Sequence, residues 1–514
     1  MVKDVLVVGG GSAGFLAAIT LKARIPTLQM TIVRSREIGI IGVGEGSTGQ
    51  LTRHLHGYLA IDYEEFYKLA KPLWKLGIRF LWGVRPFFDY SFGLQFMLQF
   101  SRLSKPNGYY VNFDGAPLEY AGVGSALMSH DKAFARGRDG NPIFGADVAY
   151  HIENEHFVQF LEKYARRLGI EIVDDTITEV LPAESGISGV RVGSGNILSA
   201  DLYVDCSGFR SLILSQTLKE PLVSFKTTLF CDRAVVGGWQ RTTEPIKPYT
   251  TAETMESGWC WQIEHENRIN RGYVYSSPFI SDEEAEREFR SKNPKVDATR
   301  IVKFTSGRYE RSWVGNVVAI GNASGFVEPL ESTSLGFICS ESAWLAESLL
   351  SADMEFRPVL VRLFNQRVGK GWDNIRQFLA VHYKFNTRLN NKFWRACRSD
   401  TQLCGSEDAV ECYEENGPNP VWGRDVIDAF DQFSMEGYLA LLVGQQVPHR
   451  SPFIPSQQER QLWEELRNRN KQIALQGVEV RQAIEMVKAG KFPWPTELFP
   501  RICRPAPPLA REAM

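Results

Sequence analysis

The sequence predicts an α/β fold with β-rich insertions and a helical C-terminal region. Three observations predict it. A strand, a glycine-rich turn, a helix and a second strand open the chain. Segments typical of strands then recur to about residue 280, and helical spacing of apolar residues dominates from about residue 338.

The N-terminal segment has the pattern of a βαβ unit. Residues 4–8, DVLVV, are short, apolar and β-branched, as expected for a buried strand. GGGSAG follows, then a helix-forming stretch FLAAITLKARI and a strand at 30–35, MTIVRS. The chain therefore begins with a nucleotide-binding type of module.

Further strands of this module are predicted later in the chain. Strands are predicted at 170–210, at 222–280 and at 316–320, where NVVAI is followed by a glycine turn. Because the last of these strands lies far from the first, the module is predicted to be discontinuous. We expect residues 1–345 to form this module with an inserted substrate-side sheet. Residues 346–514 are then a mainly helical substrate-binding region with a Pro-rich tail from residue 492.

Composition excludes several classes of protein. The chain has 514 residues, 44% hydrophobic and 23% charged, so it is globular rather than disordered. A net charge of -2 favours neither nucleic acid nor an anionic membrane as a partner. The eight cysteines form no CxxC pair, and no apolar run reaches the roughly 18 residues of a membrane span. We expect a cytoplasmic enzyme without a structural metal, whose oligomeric state the sequence does not indicate.

The first functional motif is the turn after the first strand. Gly9 allows the tight turn, Gly11 lets the backbone approach a pyrophosphate, and Gly14 lets helix and strand pack closely. Ser12 and Ala13 place their amides at the helix N-terminus, which favours phosphate. The motif predicts a bound dinucleotide in a Rossmann-like module, although Arg34 stands near the position where an acidic residue commonly holds the ribose.

Two later segments favour FAD over NAD. Asp205 to Arg210, DCSGFR, includes Gly208, and Val317 to Pro329 includes Gly321 and Asn322. Both segments resemble the second and third flavin-contacting segments of the glutathione-reductase-like and hydroxylase flavoproteins. The resemblance implies a fold of that type and FAD contacts from these residues. Asn322 stands where that group usually has Asp.

Four further motifs resemble those of flavin-dependent halogenases of the tryptophan halogenase type. They are GWCWQI with Trp259 and Trp261, WKLGIRF with Lys75, PLESTS with Glu331, Thr333 and Ser334, and GVGEGST with Gly42, Val43, Gly44 and Glu45. Three positions depart from the family patterns. Glu264 replaces a Pro, Ser334 replaces a Gly, and Arg79 stands where a second Lys is frequent.

The resemblance implies a role for each motif. Reduced FAD, supplied by a separate flavin reductase, would react with oxygen and with chloride or bromide held by Thr333 and Ser334. The resulting hypohalous acid would reach Lys75, with Glu331 beside it as the active-site acid. Trp259 and Trp261 would shield the flavin from the organic substrate, and the loop at 42–45 would fold over the flavin. The chain carries no second dinucleotide fingerprint of its own.

Several interpretations stay open at this point. The substrate is expected to be an electron-rich aromatic, indole-like or phenolic, or a pyrrole tethered to a carrier protein. A flavin-dependent aromatic monooxygenase would use the same fold without needing Lys75 or the tryptophan pair. A flavin-binding protein without turnover, acting as a sensor or a carrier-protein partner, is the alternative outside catalysis.

Overall fold

The computed structural model of the chain describes residues 1–38, 44–93, 118–418, 426–428, 431–450 and 454–506. The strands, numbered in chain order, are β1 Asp4–Val8, β2 Gln29–Arg34, β3 Glu45–Gly46, β4 Leu73–Lys75, β5 Gly77–Leu81, β6 Phe88–Ser91, β7 Lys132–Arg136, β8 Pro142–Ile143, β9 Ala149–Ile152, β10 Glu171–Asp174, β11 Ile177–Ala183, β12 Gly186–Val192, β13 Ile197–Leu198, β14 Leu202–Asp205, β15 Leu222–Ser224, β16 Arg233–Gln240, β17 Thr250–Met255, β18 Gly258–Glu264, β19 Arg268–Tyr275, β20 Thr299–Lys303, β21 Gly307–Tyr309, β22 Trp313–Val314, β23 Val317–Ala319, β24 Gly325–Phe326 and β25 Val478–Glu479.

The α-helices become longer and more frequent toward the C-terminus. In chain order they are α1 Ser12–Arg24, α2 Gly49–Arg53, α3 Tyr63–Ala70, α4 Val123–Ser129, α5 Asn154–Arg167, α6 Asp282–Lys292, α7 Ser334–Ser351, α8 Pro358–Phe385, α9 Lys392–Asp400, α10 Glu407–Asn416, α11 Ser434–Gly444, α12 Gln457–Leu475 and α13 Val480–Lys488. None of the helices in the described ranges is long and apolar enough to cross a membrane.

The first sheet confirms the predicted Rossmann-like module. Its strand order is β10-β2-β1-β14-β23-β22, and its strands are parallel except for β22 at the edge. Residues 5–8 of β1 are buried, as expected for a parallel strand covered on both faces. The module is discontinuous, since its strands come from the N-terminus, from 171–174, from 202–205 and from 313–319.

A second sheet is built from the inserted segments. Its order is β20-β16-β19-β18-β17-β5-β6, and its pairs are antiparallel except for β17 and β5. A small sheet, β3-β9-β4, lies beside it. The chain passes from the small sheet to the large one between Lys75, the last residue of β4, and Gly77, the first of β5. Lys75 is therefore fixed where the two sheets meet.

The C-terminal region is mainly helical, as expected, but it is not separate from the rest. The predicted division after residue 345 falls inside α7, and β25 pairs with β7. Within the tail after residue 490, Phe492 stacks on Trp74 at 5.2 Å between ring centroids, and residues 491–506 form neither helix nor strand. The tail therefore covers the strand that ends in Lys75. The division into two domains stays a prediction.

Candidate active site

The glycine turn after β1 has the geometry that the motif requires. Gly9 has a φ of +119°, and a Cβ there would lie 2.3 Å from the carbonyl oxygen of Cys206. A Cβ on Gly14 would lie 1.9 Å from the carbonyl oxygen of Gly9, so α1 packs directly against the turn. A Cβ on Gly11 would meet nothing within 4 Å, which leaves open space in front of the first amides of α1.

The fold brings the three glycine segments together. Cys206, in the second segment, contacts Gly9, and a Cβ on Gly321 would lie 3.2 Å from the Cβ of Ala13. Gly208 and Gly321 both have a φ of +67°, a left-handed conformation that favours glycine, and nothing lies within 4 Å of a Cβ on Gly208. Positive-φ glycines and open space beside the N-terminus of α1 fit the pyrophosphate and ribityl parts of an FAD.

Among the polar side chains of these segments, Asp205 is hydrogen-bonded within its own loop, whereas Arg210 and Asn322 are partly or fully exposed. The carboxylate of Asp205 accepts bonds from the amides of Ser207, Ile213 and Leu214 and from the Ser207 hydroxyl at 2.6–3.0 Å. These bonds shape the loop after β14. The Arg210 residue is exposed and Asn322 is half-buried, and their contacts with a cofactor stay predictions.

The GVGEGST loop is described only from Gly44 onward, so Gly42 and Val43 lie outside the described residues. Gly44 packs on His265, whose Nε2 would be 2.5 Å from a Cβ at Gly44. Glu45 lies in β3 and accepts a bond from the side chain of Asn154 at 2.7 Å. The end of this loop is thus held against the residues that follow the tryptophan motif.

Lys75 is a fully buried lysine. Its Nζ donates to the hydroxyl of Ser332 at 2.8 Å and lies 5.1 Å from the centre of the Phe92 ring. A Cβ on Gly46 would lie 3.0 Å from this Nζ and 2.8 Å from the Ser332 hydroxyl, so a side chain there would displace Lys75 or Ser332. Burial lowers the pKa of Lys75 to about 7, against a smaller opposing effect of Glu331.

Glu331 lies close enough to Lys75 to affect its pKa, and it has a partner, His382, that sequence reasoning missed. Its Oε1 lies 2.5 Å from Nε2 of His382, and both side chains are almost completely buried. Burial raises the pKa of Glu331, while His382 and Lys75 oppose the rise. Within the described structure, Oε2 of Glu331 and Nδ1 of His382 have no hydrogen-bond partner. The pair therefore keeps polar atoms available next to Lys75.

The residues after Glu331 form the start of α7. Ser332 has a φ of +57°, a strained conformation of the kind found at functional sites. Thr333 is the N-cap residue, is buried and makes no side-chain capping bond, and Ser334 begins the helix. The amides of the first turn of α7 thus lie directly beside the residue that binds Lys75.

The two tryptophans lie on one face of β18, as their spacing predicts, with ring centroids 6.0 Å apart. Trp259 donates to Oε2 of Glu328 at 2.6 Å, and the Tyr383 hydroxyl donates to the same oxygen at 2.5 Å. Burial raises the pKa of Glu328 to about 7. Glu328 and Tyr383 are further buried groups that sequence reasoning missed.

Two departures from the family motifs have structural roles. Glu264 forms a buried ion pair with Arg241, with side chains 1% and 2% exposed. Arg79 binds Asp89 in a bidentate pair at 2.8 and 2.9 Å and lies over the Tyr249 ring. The Arg79 charge is thus neutralised by Asp89.

A signal for the missed residues is hard to find in the sequence. His382 and Tyr383 lie near the end of a long helix, and only the fold brings them to Glu331 and Glu328. Within the described residues no group of three or more His, Cys, Asp or Glu side chains is arranged to hold a metal ion. A groove of about 960 Å³ beside α8 contains none of the predicted site residues among its lining residues.

Comparisons with known proteins agree with this fold. A family model described as tryptophan halogenase matches residues 4–458. The tryptophan 7-halogenase RebH of Lentzea aerocolonigenes is 31% identical, with 80% of this chain and 82% of RebH covered. The tryptophan 6-halogenase ThaL of Streptomyces albogriseolus is 33% identical, with 81% and 83% covered.

The solved structures that resemble this chain include halogenases as well. MibH, a lanthipeptide tryptophan 5-halogenase, superposes with a TM-score of 0.84 at 36% identity, with 95% of this chain and 94% of MibH covered. BrvH, a flavin-dependent halogenase from a Brevundimonas species, has a TM-score of 0.81 at 27% identity, with 95% and 99% covered.

The fold and the site define a flavin-dependent oxidoreductase. More narrowly, the chain belongs to the tryptophan halogenase family, and it is a flavin-dependent halogenase that acts on an aromatic ring. Dependence on a flavin implies FAD as the cofactor, and its contacts with the glycine segments stay predictions. The monooxygenase, the carrier-tethered pyrrole and the flavin-binding protein without turnover are not favoured.

Proposed function

We propose that this enzyme halogenates the indole ring of tryptophan, with Lys75 delivering the halogen and Glu331 removing the ring proton. The observation that carries the proposal is a fully buried lysine within one hydrogen bond of the loop that also presents Glu331. Burial of a lysine costs free energy because its charged form is desolvated. A buried lysine with a shifted pKa therefore indicates a functional site. The named relatives support the indole, since RebH, ThaL and MibH are all called tryptophan halogenases.

FAD would be held by the glycine turn at Gly9, Gly11 and Gly14 and by the later turns at Gly208 and Gly321. When bound in its reduced form, FAD supplies the two electrons that activate oxygen for oxidation of chloride or bromide. We propose that a separate reductase supplies the reduced flavin, since this chain carries one dinucleotide fingerprint. The Trp259 and Trp261 pair would separate the flavin from the aromatic substrate.

The halide would lie at the start of α7. Thr333 offers a buried hydroxyl without a capping bond, and the first-turn amides near Ser334 point in the direction that favours an anion. Ser332, which precedes Thr333, accepts a hydrogen bond from Lys75. The oxidised halogen would therefore be produced close to Lys75.

Lys75 would act as a hydrogen-bond donor to hypohalous acid or as an amine that accepts its halogen. With a pKa of about 7, a large fraction of the amine is neutral at neutral pH. In the second case an N–X bond forms, the O–X bond breaks, and the amine proton leaves with hydroxide as water. The halogen then bonds to the ring carbon as the N–X bond breaks and the nitrogen takes up a proton, which restores the Lys75 amine. The ring proton passes to the carboxylate of Glu331.

A substrate panel tests the proposal. Enzyme, FAD, NADH and a flavin reductase are incubated with chloride or bromide and with free tryptophan, a tryptophan-containing peptide or a phenol. Mass spectrometry is expected to show the halogen isotope pattern on the tryptophan compounds. The peptide is included because MibH is a lanthipeptide tryptophan halogenase. A hydroxylated product formed without halide would contradict the proposal.

A further inference from the structure

A buried acid lies beneath the third glycine segment, and nothing in the mechanism above uses it. Glu341 is on α7, with no exposed surface. Its Oε2 accepts the amide hydrogen of Gly321 at 2.7 Å, and its Oε1 lies 2.5 Å from the hydroxyl of Ser324. The carboxyl group therefore joins both ends of the turn from Gly321 to Ser324.

The hydrogen bonds around this carboxyl indicate its protonation state. The Ser324 hydroxyl also lies 3.0 Å from the carbonyl oxygen of Gly321, and it accepts the indole N–H of Trp372 at 3.2 Å. A hydroxyl has one hydrogen to donate. A neutral Glu341 supplies the second hydrogen, so that Ser324 can donate to Gly321 while it accepts from Glu341 and Trp372. A carboxylate leaves one of these contacts unmade.

The electrostatic surroundings agree with the neutral form. Burial raises the pKa of Glu341 to about 8. The titratable groups at the end of β14 are Asp205 and Cys206, and neither supplies positive charge; burial raises the pKa of Cys206, and Asp205 and Glu341 raise it further. Trp372, from α8, is not titratable. Near pH 7 the carboxyl is therefore mainly protonated.

We propose that Glu341 is a positioning residue of the cofactor site, whose neutral carboxyl fixes the turn at Gly321 against the glycine loop. The inference rests on the proposed binding of FAD at these segments. Gly321 has a φ of +67°, and a Cβ there would lie 3.0 Å from Ile338 and 3.2 Å from Ala13. Little room is left for the turn to move without displacing the loop that holds the pyrophosphate.

The proposal predicts a pH dependence of FAD binding with a definite sign. Loss of the Glu341 proton places an unpaired charge beside the turn and removes one hydrogen bond, so the bound state favours the protonated form. The affinity for FAD is then constant below about pH 8 and falls above it, by at most about tenfold per pH unit. A glutamine at this position keeps an acceptor and a donor but cannot ionise.

The dissociation constant of FAD, measured by quenching of flavin fluorescence between about pH 6 and about pH 9.5, tests the inference. We expect the wild type to bind FAD more weakly above about pH 8. E341Q should bind within about twofold of the wild type at pH 7 and should lose this pH dependence. E341A should bind more weakly at every pH. E347Q, an exposed substitution on the same helix, is the matched control and should follow the wild type.

The outcomes separate this inference from the proposed function. If the wild type binds FAD and E341Q shows the same loss of affinity above pH 8, or if E341A binds as tightly as the wild type, the inference is wrong. If E341A does not fold, the comparison of E341Q with the wild type decides alone. If the wild type binds no FAD at any pH, the proposed function itself fails.

Discussion

At the scale of single residues, the site depends on burial that moves titratable groups toward neutral pH. Lys75, Glu328 and Glu341 have pKa values of about 7, about 7 and about 8, and in each case desolvation is the largest cause. Such values suit proton exchange under ordinary conditions. Lys75 lies at the end of β4, Glu328 lies in the loop after β24, and Glu341 lies in α7.

His382 is predicted to lower the pKa of Glu331 against the rise that burial causes. Replacing it with Phe removes a partner that opposes the raised pKa of Glu331, so the acid limb of the pH–rate profile should move to higher pH. The halogenation rate at pH 7 should fall by about 10- to 100-fold, since protonation of the base removes part of the roughly 100- to 10,000-fold that such a group contributes. The measurement is product formation as a function of pH.

A matched control for His382→Phe is His54→Gln. His54 is also buried, and its Nε2 forms a hydrogen bond with the Thr20 hydroxyl at 2.9 Å. This bond involves neither Lys75 nor Glu331. Its substitution should leave the pH–rate profile in place. An unchanged acid limb in the His382 variant would show that the histidine does not act through Glu331.

At the scale of elements, the residues between β24 and α7 include four buried polar residues of the candidate site. Glu328, Glu331, Ser332 and Thr333 follow one another in this short connection, and all are buried. Their partners come from distant elements, Lys75 from β4 among them. The connection therefore joins the nucleotide module to the second sheet and to α8.

The end of β18 is expected to depend on the ion pair between Glu264 and Arg241. Glu264→Ala leaves Arg241 buried without its carboxylate, which should lower the free energy of unfolding by about 3 kcal/mol. A double variant, Arg241→Met with Glu264→Leu, should recover most of this loss, because it removes both buried charges. Denaturant unfolding measures both changes.

The exposed pair between Glu286 and Arg290 is the control for Glu264→Ala. Its side chains are 36% and 40% exposed, so Glu286→Ala should change stability by less than about 1 kcal/mol. Equal effects of Glu264→Ala and Glu286→Ala would mean that the buried pair does not stabilise β18.

At the scale of the whole molecule, the sequence predicts the nucleotide module well because glycine positions are dictated by backbone geometry. Gly9, Gly14 and Gly321 each lie where a side chain would clash or where φ is positive. The motif residues Lys75 and Glu331 are brought into one cluster, as the resemblance implies.

Other features could not be predicted from the sequence. His382, Tyr383 and Glu341 lie in helices, and helical spacing indicates which face is buried but not which loop it meets. The long-range pairing of β25 with β7 likewise depends on tertiary packing. The departure at Glu264 is explained only when Arg241, on a neighbouring part of the chain, is seen to pair with it.

The most direct test of the account is Lys75→Met, assayed for flavin oxidation and for halogenated tryptophan in the same reaction. We expect reduced flavin to be consumed at close to the wild-type rate while product falls below about 1% of wild type, since Lys75 would deliver the halogen without contributing to oxygen activation. Lys22→Met, a half-buried lysine bonded to two backbone carbonyls, is the control and should retain activity. Halogenated product from Lys75→Met at the wild-type rate would contradict the account.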